Sequence, residues 1–441
     1  MAATATLISV ECSQRSSATT GRGSSATRAG DAPPAASASP DASAAPDASA
    51  SSGASAAPGP LGTSQLPAGP AAWPSAGPLT ERAVPGLPTA DGPPALGFSA
   101  GELTELGATE LNARLSALAA TGATWVRFDV AWPTVQPHGP AEWDWTAADR
   151  VVSAAAAHGL HSLPILGYTP AWARADGCGD LRCPPARPAD FARFAATAVG
   201  RYQGSGVGVW EIWNEPNLAS SWAPAPDATA YADLLRATTA AIRATGVPAT
   251  VLTGGLGPAQ TAPGEVHPAE FLDRVYSVAG AQAFDGVGMH PYSFPALPSD
   301  TSQTWSGWSQ LRQVRDLMVA KGDAAKSIWI TEFGAPTAGP GALATLADRK
   351  YAAHPDHVDE SLQRQSAVDG FDQAIATPWV QGFFWYNFKD LGTDPANTED
   401  HYGVVRRDDS QKPAYTALRD AFQGSLLRPG RMPSPVATTS S

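Results

Sequence analysis

Short apolar runs alternate with longer amphipathic stretches between residues 95 and 424. The apolar runs have the length and composition of buried β-strands, and the apolar residues between them recur every three or four positions, as in helices. Strands are predicted at residues 96–99, 124–130, 161–166, 207–213, 249–253, 284–289, 327–331 and 380–386. Helices are predicted at residues 103–120, 145–158, 188–202, 227–245, 268–279, 305–321, 360–376 and 413–423.

This strand–helix alternation, with a repeat of about 40 residues, predicts parallel strands joined by right-handed crossovers. Eight strands favour closure into a barrel over an open sheet. We therefore predict an α/β fold, a (β/α)8 TIM barrel. Because such barrels carry their chemistry at the carboxyl ends of the strands, the residues that follow each strand are the candidates for function.

Composition divides the chain into three parts. Residues 1–92 are almost entirely Ala, Ser, Pro, Gly and Thr, with one tryptophan, Trp73. They predict a long disordered N-terminal segment, because they cannot bury enough apolar surface to offset the entropy of ordering. Residues 93–424 have the composition of a globular domain. Residues 425–441, rich in Pro, Ser and Thr, predict a flexible C-terminal tail.

The charge balance narrows the choice of partners. The chain has 29 basic and 41 acidic residues, a formal net charge of −12. This argues against nucleic acids and anionic membranes, which bind clustered Lys and Arg. The absence of an 18-residue apolar stretch predicts that the chain does not span a membrane. We expect no metal, no other cofactor and a monomeric protein.

The cysteines indicate the cellular compartment in which the protein is found. Cys178 and Cys183 lie five residues apart in a Gly/Pro-rich loop, where they can form a small disulfide; two free thiols are the alternative. A disulfide indicates an oxidising compartment, hence an extracellular or cell-envelope location. Residues 1–10 are apolar but lack the positive start of a secretion signal. Glu11 before Cys12 is unlike the small residue that precedes a lipid-modified cysteine.

Two glutamates stand at the ends of apolar strands. Glu215 follows the fourth predicted strand, and Glu332 follows the seventh. They are more than a hundred residues apart in the sequence, yet the barrel brings both to the same rim. A carboxylic acid facing a carboxylate is the minimal equipment for cleaving a glycosidic bond.

The surrounding motifs carry a family resemblance. Trp-Asn-Glu-Pro at residues 213–216 and Thr-Glu-Phe-Gly at residues 331–334 resemble clan A of the retaining glycoside hydrolases, most closely the cellulase-like family 5 and the xylosidase-like family 39. The resemblance covers roughly residues 96–422. It implies a catalytic domain at residues 93–424 that acts on a carbohydrate substrate. It also implies hydrolysis of O-glycosidic bonds, of β configuration, in oligo- or polysaccharides through a covalent glycosyl-enzyme.

The resemblance assigns roles to the strand-end residues. Glu215 matches the acid/base, which must hold a proton for the leaving oxygen, and Glu332 matches the nucleophile, which must be ionised. Asn214 matches the residue that hydrogen-bonds the sugar 2-hydroxyl. Because Asn214 and Glu215 are consecutive, both reach one site only if the strand end is irregular.

Three more residues follow from the same resemblance. Arg127 matches the basic residue beneath the nucleophile, where a positive charge favours the carboxylate. His290 and Tyr292 match the pair that orients the nucleophile and contacts the reacting sugar.

Tryptophans at strand ends are candidate walls for sugar rings. Trp385 matches the aromatic floor beside the cleaved bond, and Trp172 is a further candidate for substrate binding. The others at or just after strand ends are Trp132, Trp213 and Trp222. Core packing is the alternative for each of them.

Other interpretations stay open from sequence. Gly-Phe-Ser-Ala-Gly at residues 97–101 fits the nucleophile elbow of α/β-hydrolases, but an elbow serine needs several strands before it, and here only the low-complexity segment precedes Ser99. A carbohydrate-binding barrel without catalysis and a transglycosylase with the same residues are the remaining alternatives. Glu211 is interpreted as a structural buried acid, and Asp129 as either a second layer of the site or a cap.

Overall fold

The structure is a computed structural model that describes residues 92–346 and 355–426. The predicted disordered segment, residues 1–92, lies outside these ranges except for Gly92. The predicted tail, residues 425–441, lies outside them beyond Leu426, which ends the last helix. Disorder in both segments therefore stays a prediction.

All eight predicted strands form. They are β1 (Ala95–Ser99), β2 (Trp125–Ala131), β3 (His161–Gly167), β4 (Val209–Asn214), β5 (Thr250–Gly255), β6 (Gly286–Met289), β7 (Ser327–Phe333) and, after two short strands described below, β10 (Val380–Tyr386). Neighbouring strands pair in parallel, and β10 closes the barrel against β1. The predicted (β/α)8 TIM barrel is confirmed. The two short strands, β8 (Leu343–Ala344) and β9 (His357–Val358), pair with each other after β7 and were not predicted.

Helices occupy the connections, within a few residues of the predicted bounds. They are α1 (Ala108–Ala119), α2 (Trp132–Val135), α3 (Thr146–Ala157), α4 (Pro188–Arg201), α5 (Ala228–Ala244), α6 (Pro268–Ala279), α7 (Gly307–Ala320), α8 (Glu360–Ala376) and α9 (Pro413–Leu426). The side chain of Asp227 accepts hydrogen bonds from the amides of Thr229 and Ala230 and so caps α5,. In the described ranges, no helix is both long enough and apolar enough to cross a membrane.

Strand alternation separates the main core from the barrel interior. In β2, Val126 and Phe128 are fully buried in the core between barrel and helices. Because successive side chains of a strand point to opposite faces, Trp125, Arg127 and Asp129 share the inner face. The same strand therefore builds the core on one side and the functional site on the other.

The barrel interior is apolar below and polar above. The lower layer consists of inward-facing residues Ala95, Trp125, Leu163, Val209, Leu252, Trp329 and Phe384. Two residues further along their strands, toward the carboxyl ends, stand Arg127, Glu211 and Thr331, all fully buried. The apolar layer closes the barrel, and the polar layer lies directly beneath its mouth.

The loop after β3 is closed by a disulfide between Cys178 and Cys183, as predicted. The loop returns to the strand end through Thr169. The Thr169 amide donates to the Leu181 carbonyl at 2.8 Å, and its hydroxyl donates to the Cys183 carbonyl at 2.7 Å. The disulfide loop is thus anchored at the mouth of the barrel.

Replacing Cys178 by Ser should lower the free energy of unfolding by at most about 2–3 kcal/mol, because the bridge closes only a short loop of the unfolded chain. Denaturant unfolding measures this loss, with Cys12→Ser as the matched control that keeps the bridge. Alkylation of the denatured, unreduced protein should modify one thiol, and reduction first should make three reactive. Three reactive thiols without reductant would rule the disulfide out.

Candidate active site

Arg127 organises the polar layer. Its Nε donates to Glu211 Oε2 at 2.6 Å, and its Nη2 donates to Asn214 Oδ1 at 2.9 Å. Its Nη1 donates to Ser99 Oγ at 2.8 Å and also to Glu332 Oε1. The side chain is completely buried. One guanidinium therefore fixes groups from β1, β4 and β7 relative to one another.

The charge on Arg127 is secured by its neighbours. Burial by itself lowers the pKa of a guanidinium, but the carboxylates of Glu211 and Glu332 raise the pKa of Arg127 further than burial lowers it. Glu211 is completely buried and paired with Arg127, which agrees with its interpretation as a structural acid. Thr331 Oγ1 donates to the other Glu211 oxygen at 2.9 Å.

Glu332 is positioned and held in its charged form. Tyr292 Oη donates to Glu332 Oε2 at 2.7 Å, while Arg127 donates to the other oxygen. Burial alone would raise the pKa of this carboxyl, but the His290 ring, the Arg127 charge and the Tyr292 hydrogen bond together lower the pKa of Glu332 below its ordinary value. With 13% of its side chain exposed, Glu332 is an accessible carboxylate.

The end of β4 breaks the strand alternation, as the adjacent Asn214 and Glu215 require. Trp213 has φ 73° and Glu215 has φ 41°, both in the left-handed region that side-chain-bearing residues rarely adopt,. Trp213 turns into the core, while Asn214 reaches Arg127. Backbone strain of this kind concentrates at functional sites. The irregular backbone lets the consecutive side chains of Asn214 and Glu215 both reach the mouth of the barrel.

His290, just beyond β6, stands between the two glutamates. Its Nδ1 lies 2.9 Å from Glu215 Oε1 and 3.6 Å from Glu332 Oε2. Its Nε2 lies 3.1 Å from Thr331 Oγ1 and 3.3 Å from Arg127 Nη2. A proton on Nδ1 therefore faces both carboxyl groups at once.

Glycines at the end of β5 make room for this arrangement. A Cβ at Gly255 would collide with the His290 ring. A Cβ at Gly257 would lie 3.1 Å from Glu215 Oε1 and 2.5 Å from Leu218 Cδ1. Both positions therefore demand glycine for close approach rather than for a special φ, and they let the His290 ring and Leu218 pack close beside Glu215.

The prediction for Trp385 is wrong. Its side chain is fully buried in the main core, with its indole N–H 3.4 Å from the Tyr402 carbonyl, and cannot stack on a sugar. Along β10, Phe384 points into the barrel, so Trp385 points out and Tyr386 points in again,. Tyr386 is partly exposed and donates to Glu399 Oε2 at 3.0 Å. It is the aromatic residue that β10 presents at the mouth.

Among the other strand-end tryptophans, Trp132, Trp213 and Trp222 are at most 1% exposed and belong to the core. Trp172 is partly exposed and lies between β3 and α4, before the disulfide. Its indole N–H donates to the Gln136 carbonyl at 2.7 Å, and its ring packs edge-on against Trp132 at 5.4 Å. Its contact with substrate stays a prediction.

Ser99 was weighed as the nucleophile of a different enzyme class, and the barrel fold excludes that elbow. Ser99 instead ends β1 on the inner face, where its Oγ lies 3.5 Å from Glu332 Oε1. Asp129, which the sequence suggests is either a second layer of the site or a cap, lies on the inner face of β2, and Tyr168, which the sequence analysis missed, follows β3. The two-residue strand period was the available signal for Ser99 and Asp129, whereas Tyr168 has φ 66° and follows no such period.

The fold and the paired carboxyl groups define a glycosidase. Residues 90–358 match the sequence model of the cellulase family, glycosyl hydrolase family 5. This match spans more than half of the chain, and the chain belongs to that family, as the motifs predicted. None of the curated proteins compared with the chain matches it.

Solved structures with the same fold support the assignment of the barrel. A family 39 glycoside hydrolase from the gut symbiont Bacteroides cellulosilyticus WH2 has a TM-score of 0.58 and 23% identity, over 78% of this chain and 66% of that one. GH5_18 from Streptomyces cattleya, in complex with GlcNAc, has a TM-score of 0.57 and 18% identity, over 78% and 83%. A monomeric β-xylosidase from Caulobacter crescentus CB15 has a TM-score of 0.54 and 20% identity, over 74% and 68%. The chain thus spans just under two thirds of the family 39 enzyme.

Tyr292→Phe should move the acidic limb of the kcat/KM profile to higher pH and lower its plateau about tenfold or more. The lowered pKa of Glu332 keeps the wild-type limb below the ordinary carboxyl range, and removal of the hydroxyl raises that pKa again. By linkage, the stability that Glu332 contributes is present above its unfolded pKa and is lost as pH falls through its folded pKa. Tyr292→Phe should therefore lose this contribution to stability at a higher pH than the wild type does.

A pH series of initial rates and of thermal unfolding measures both effects. Tyr415→Phe, in the remote helix α9, is the matched control and should leave both profiles unchanged. An acidic limb that does not move in Tyr292→Phe would show that the Glu332–Tyr292 hydrogen bond does not set the ionisation that limits activity.

Proposed function

We propose that the protein is a retaining β-glycosidase that hydrolyses O-glycosidic bonds by double displacement, with Glu332 as nucleophile and Glu215 as acid/base. One observation carries the proposal: both carboxyl groups contact His290 Nδ1, at 2.9 Å and 3.6 Å. The contacting oxygens are therefore no more than about 6.5 Å apart. Retaining enzymes hold their carboxyl groups about 5–5.5 Å apart, and inverting enzymes about 6.5–9.5 Å apart to admit a water.

In the first step, the Glu332 carboxylate attacks the anomeric carbon while Glu215 gives its proton to the departing glycosidic oxygen. The lowered pKa of Glu332 supports its role as the charged partner. Glu215 Oε1 is engaged by His290. In the described part of the chain, no side chain or amide donates to Glu215 Oε2, which leaves this oxygen for the leaving group.

In the second step, water replaces the leaving group. Glu215, now a carboxylate, takes a proton from the water molecule. The water oxygen attacks the anomeric carbon, and the bond between that carbon and Glu332 breaks. His290 Nδ1 faces both carboxyl groups and stabilises the negative charge wherever it resides. Two successive attacks on opposite faces restore the original anomeric configuration.

The sugar is held by groups around this pair. Asn214 Oδ1 is occupied by Arg127, so its Nδ2 is the group available to the 2-hydroxyl. Tyr386 takes the place predicted for Trp385 as the aromatic wall, and Trp172 provides a second wall. The Cys178–Cys183 disulfide supports an extracellular or cell-envelope location,. The complete acid, nucleophile and asparagine set argues against a barrel that only binds carbohydrate.

Glu215→Ala tests the mechanism. Turnover of substrates with poor leaving groups should fall by about 10²–10⁴-fold, because those groups need protonation, whereas dinitrophenyl glycosides should lose far less. Glu142→Ala, at an exposed acid whose side chain makes no hydrogen bond in the described part of the chain, is the matched control and should retain full activity. Proton NMR of the first wild-type product should show retained configuration, and an inverted anomer would contradict the proposal.

A further inference from the structure

The two candidate catalytic glutamates divide the mouth of the barrel into two arcs. Around the closed sheet, β5 and β6 lie between β4 and β7 on one side, and β3, β2, β1 and β10 lie between them on the other. The first arc carries His290 and Tyr292, whose side chains are already bound to Glu215 and Glu332. It also carries Gly257, against which Leu218 and Glu215 pack closely.

The second arc holds a carboxyl group whose hydrogen-bonding capacity is unused. Asp129 lies on the inner face of β2, two residues beyond Arg127 and one step closer to the mouth,. A Cβ at Gly101, two residues after β1, would lie 3.5 Å from its Oδ2, so at this position the chain brings no side chain over the carboxyl. Asp129 is partly exposed, and no group in the described part of the chain donates a hydrogen bond to it.

A tyrosine follows the neighbouring strand, β3, which pairs with the strand of Asp129. Tyr168 directly follows β3, has φ 66° and is only 3% exposed. Its ring packs 5.9 Å from Trp213, and the next residue, Thr169, is anchored by the disulfide loop. The strained backbone and these anchors hold the ring in place. Among residues 92–346 and 355–426, none provides a hydrogen-bond partner for its hydroxyl.

Nearby polar side chains, unlike those of Asp129 and Tyr168, are hydrogen-bonded within the protein. Arg127, Glu211, Thr331 and His290 all have protein partners in the polar layer. An acceptor and a donor at the ends of the paired strands β2 and β3, without protein partners and at the same mouth as the proposed nucleophile, are available to a ligand.

We propose that Asp129 and Tyr168 form a glycone-binding pair, which hydrogen-bonds the hydroxyls at carbon 3 or carbon 4 of the sugar held over Glu332 and so sets sugar specificity. This inference rests on the proposed function, because it takes Glu332 as the nucleophile and Asn214 as the partner of the 2-hydroxyl. The leaving group then lies on the Glu215 side of the sugar. The pair discriminates sugars by which hydroxyls they present.

Electrostatics agrees with this assignment. Burial raises the pKa of Tyr168 well above its ordinary value, with a further contribution from Asp129, so its hydroxyl stays a neutral donor. Burial also raises the pKa of Asp129 to about 7; Arg127 opposes this, while Glu332, Glu211 and Glu105 add to it. A carboxyl poised near neutrality both accepts from and donates to sugar hydroxyls.

Deoxy sugars test the pair. The parents are the 4-nitrophenyl β-glucoside, β-mannoside and β-xyloside, and the one with the highest kcat/KM is compared with its 3-deoxy and 4-deoxy analogues. In the wild type, loss of a contacted hydroxyl should lower kcat/KM about 10- to 100-fold. In Asp129→Ala and Tyr168→Phe, kcat/KM for the parent glycoside should itself fall by a similar factor. In these variants, the further loss of kcat/KM caused by removing the contacted hydroxyl should shrink to within about threefold. Asp316→Asn and Tyr276→Phe, on α7 and α6, are the matched controls and should keep the full penalty.

Binding to Glu332→Gln separates the two proposals. Calorimetric titration of this variant, alone and combined with Asp129→Ala or Tyr168→Phe, measures Kd without turnover. The deoxy analogue should bind more weakly than the parent to Glu332→Gln, and this difference in Kd should shrink in the two combined variants. If the wild type hydrolyses none of the three glycosides but Glu332→Gln shows the pattern, the proposed function fails and the binding pair stands. A deoxy penalty that persists without Asp129 and Tyr168, or no binding of any parent sugar, would overturn the inference.

Discussion

The site depends on one buried charge. Arg127 lies completely inside the barrel and directly contacts the carboxylates of Glu211 and Glu332. An unpaired charge at this depth costs several kcal/mol, and so does either carboxylate without the guanidinium. Because a guanidinium presents its donors in a rigid plane, it fixes these carboxylates and the Asn214 amide in one geometry. The groups at the mouth are therefore held in one arrangement by the protein itself, and Glu332 is positioned by Arg127 and Tyr292.

The sequence predicts most of this arrangement because the relevant signals are local. Apolar runs and helical periodicity mark the eight strands and their helices, and parallel strands in a closed barrel all end at one rim. That topology alone brings Glu215 and Glu332 together. The two-residue period of β2 places Arg127 inside, and the adjacency of Asn214 and Glu215 requires the irregular strand end that Trp213 and Glu215 show.

What sequence reasoning missed depends on which face a residue takes and on contacts between distant segments. Two aromatic residues end β10, and only its register against β1 and β7 decides that Tyr386 turns inward and Trp385 outward. Tyr168 reaches the mouth through a left-handed residue that no local pattern marks. The role of Ser99 appears only once β1 lies beside β2 and Arg127 reaches across. Such features are properties of the assembled barrel rather than of any one segment.

The central claim is that Glu332 is the group that bonds to the sugar. A 2-deoxy-2-fluoro β-glycoside with a dinitrophenyl leaving group should inactivate the protein with a one-to-one gain in mass. The fluorine slows both displacements, and the activated leaving group restores the rate of the first alone, so the glycosyl-enzyme accumulates. Peptide mass mapping should place the sugar on Glu332, and Glu332→Gln should gain no mass. A sugar attached to Glu215 or Asp129, or inactivation that persists with an attached sugar in Glu332→Gln, would contradict the account.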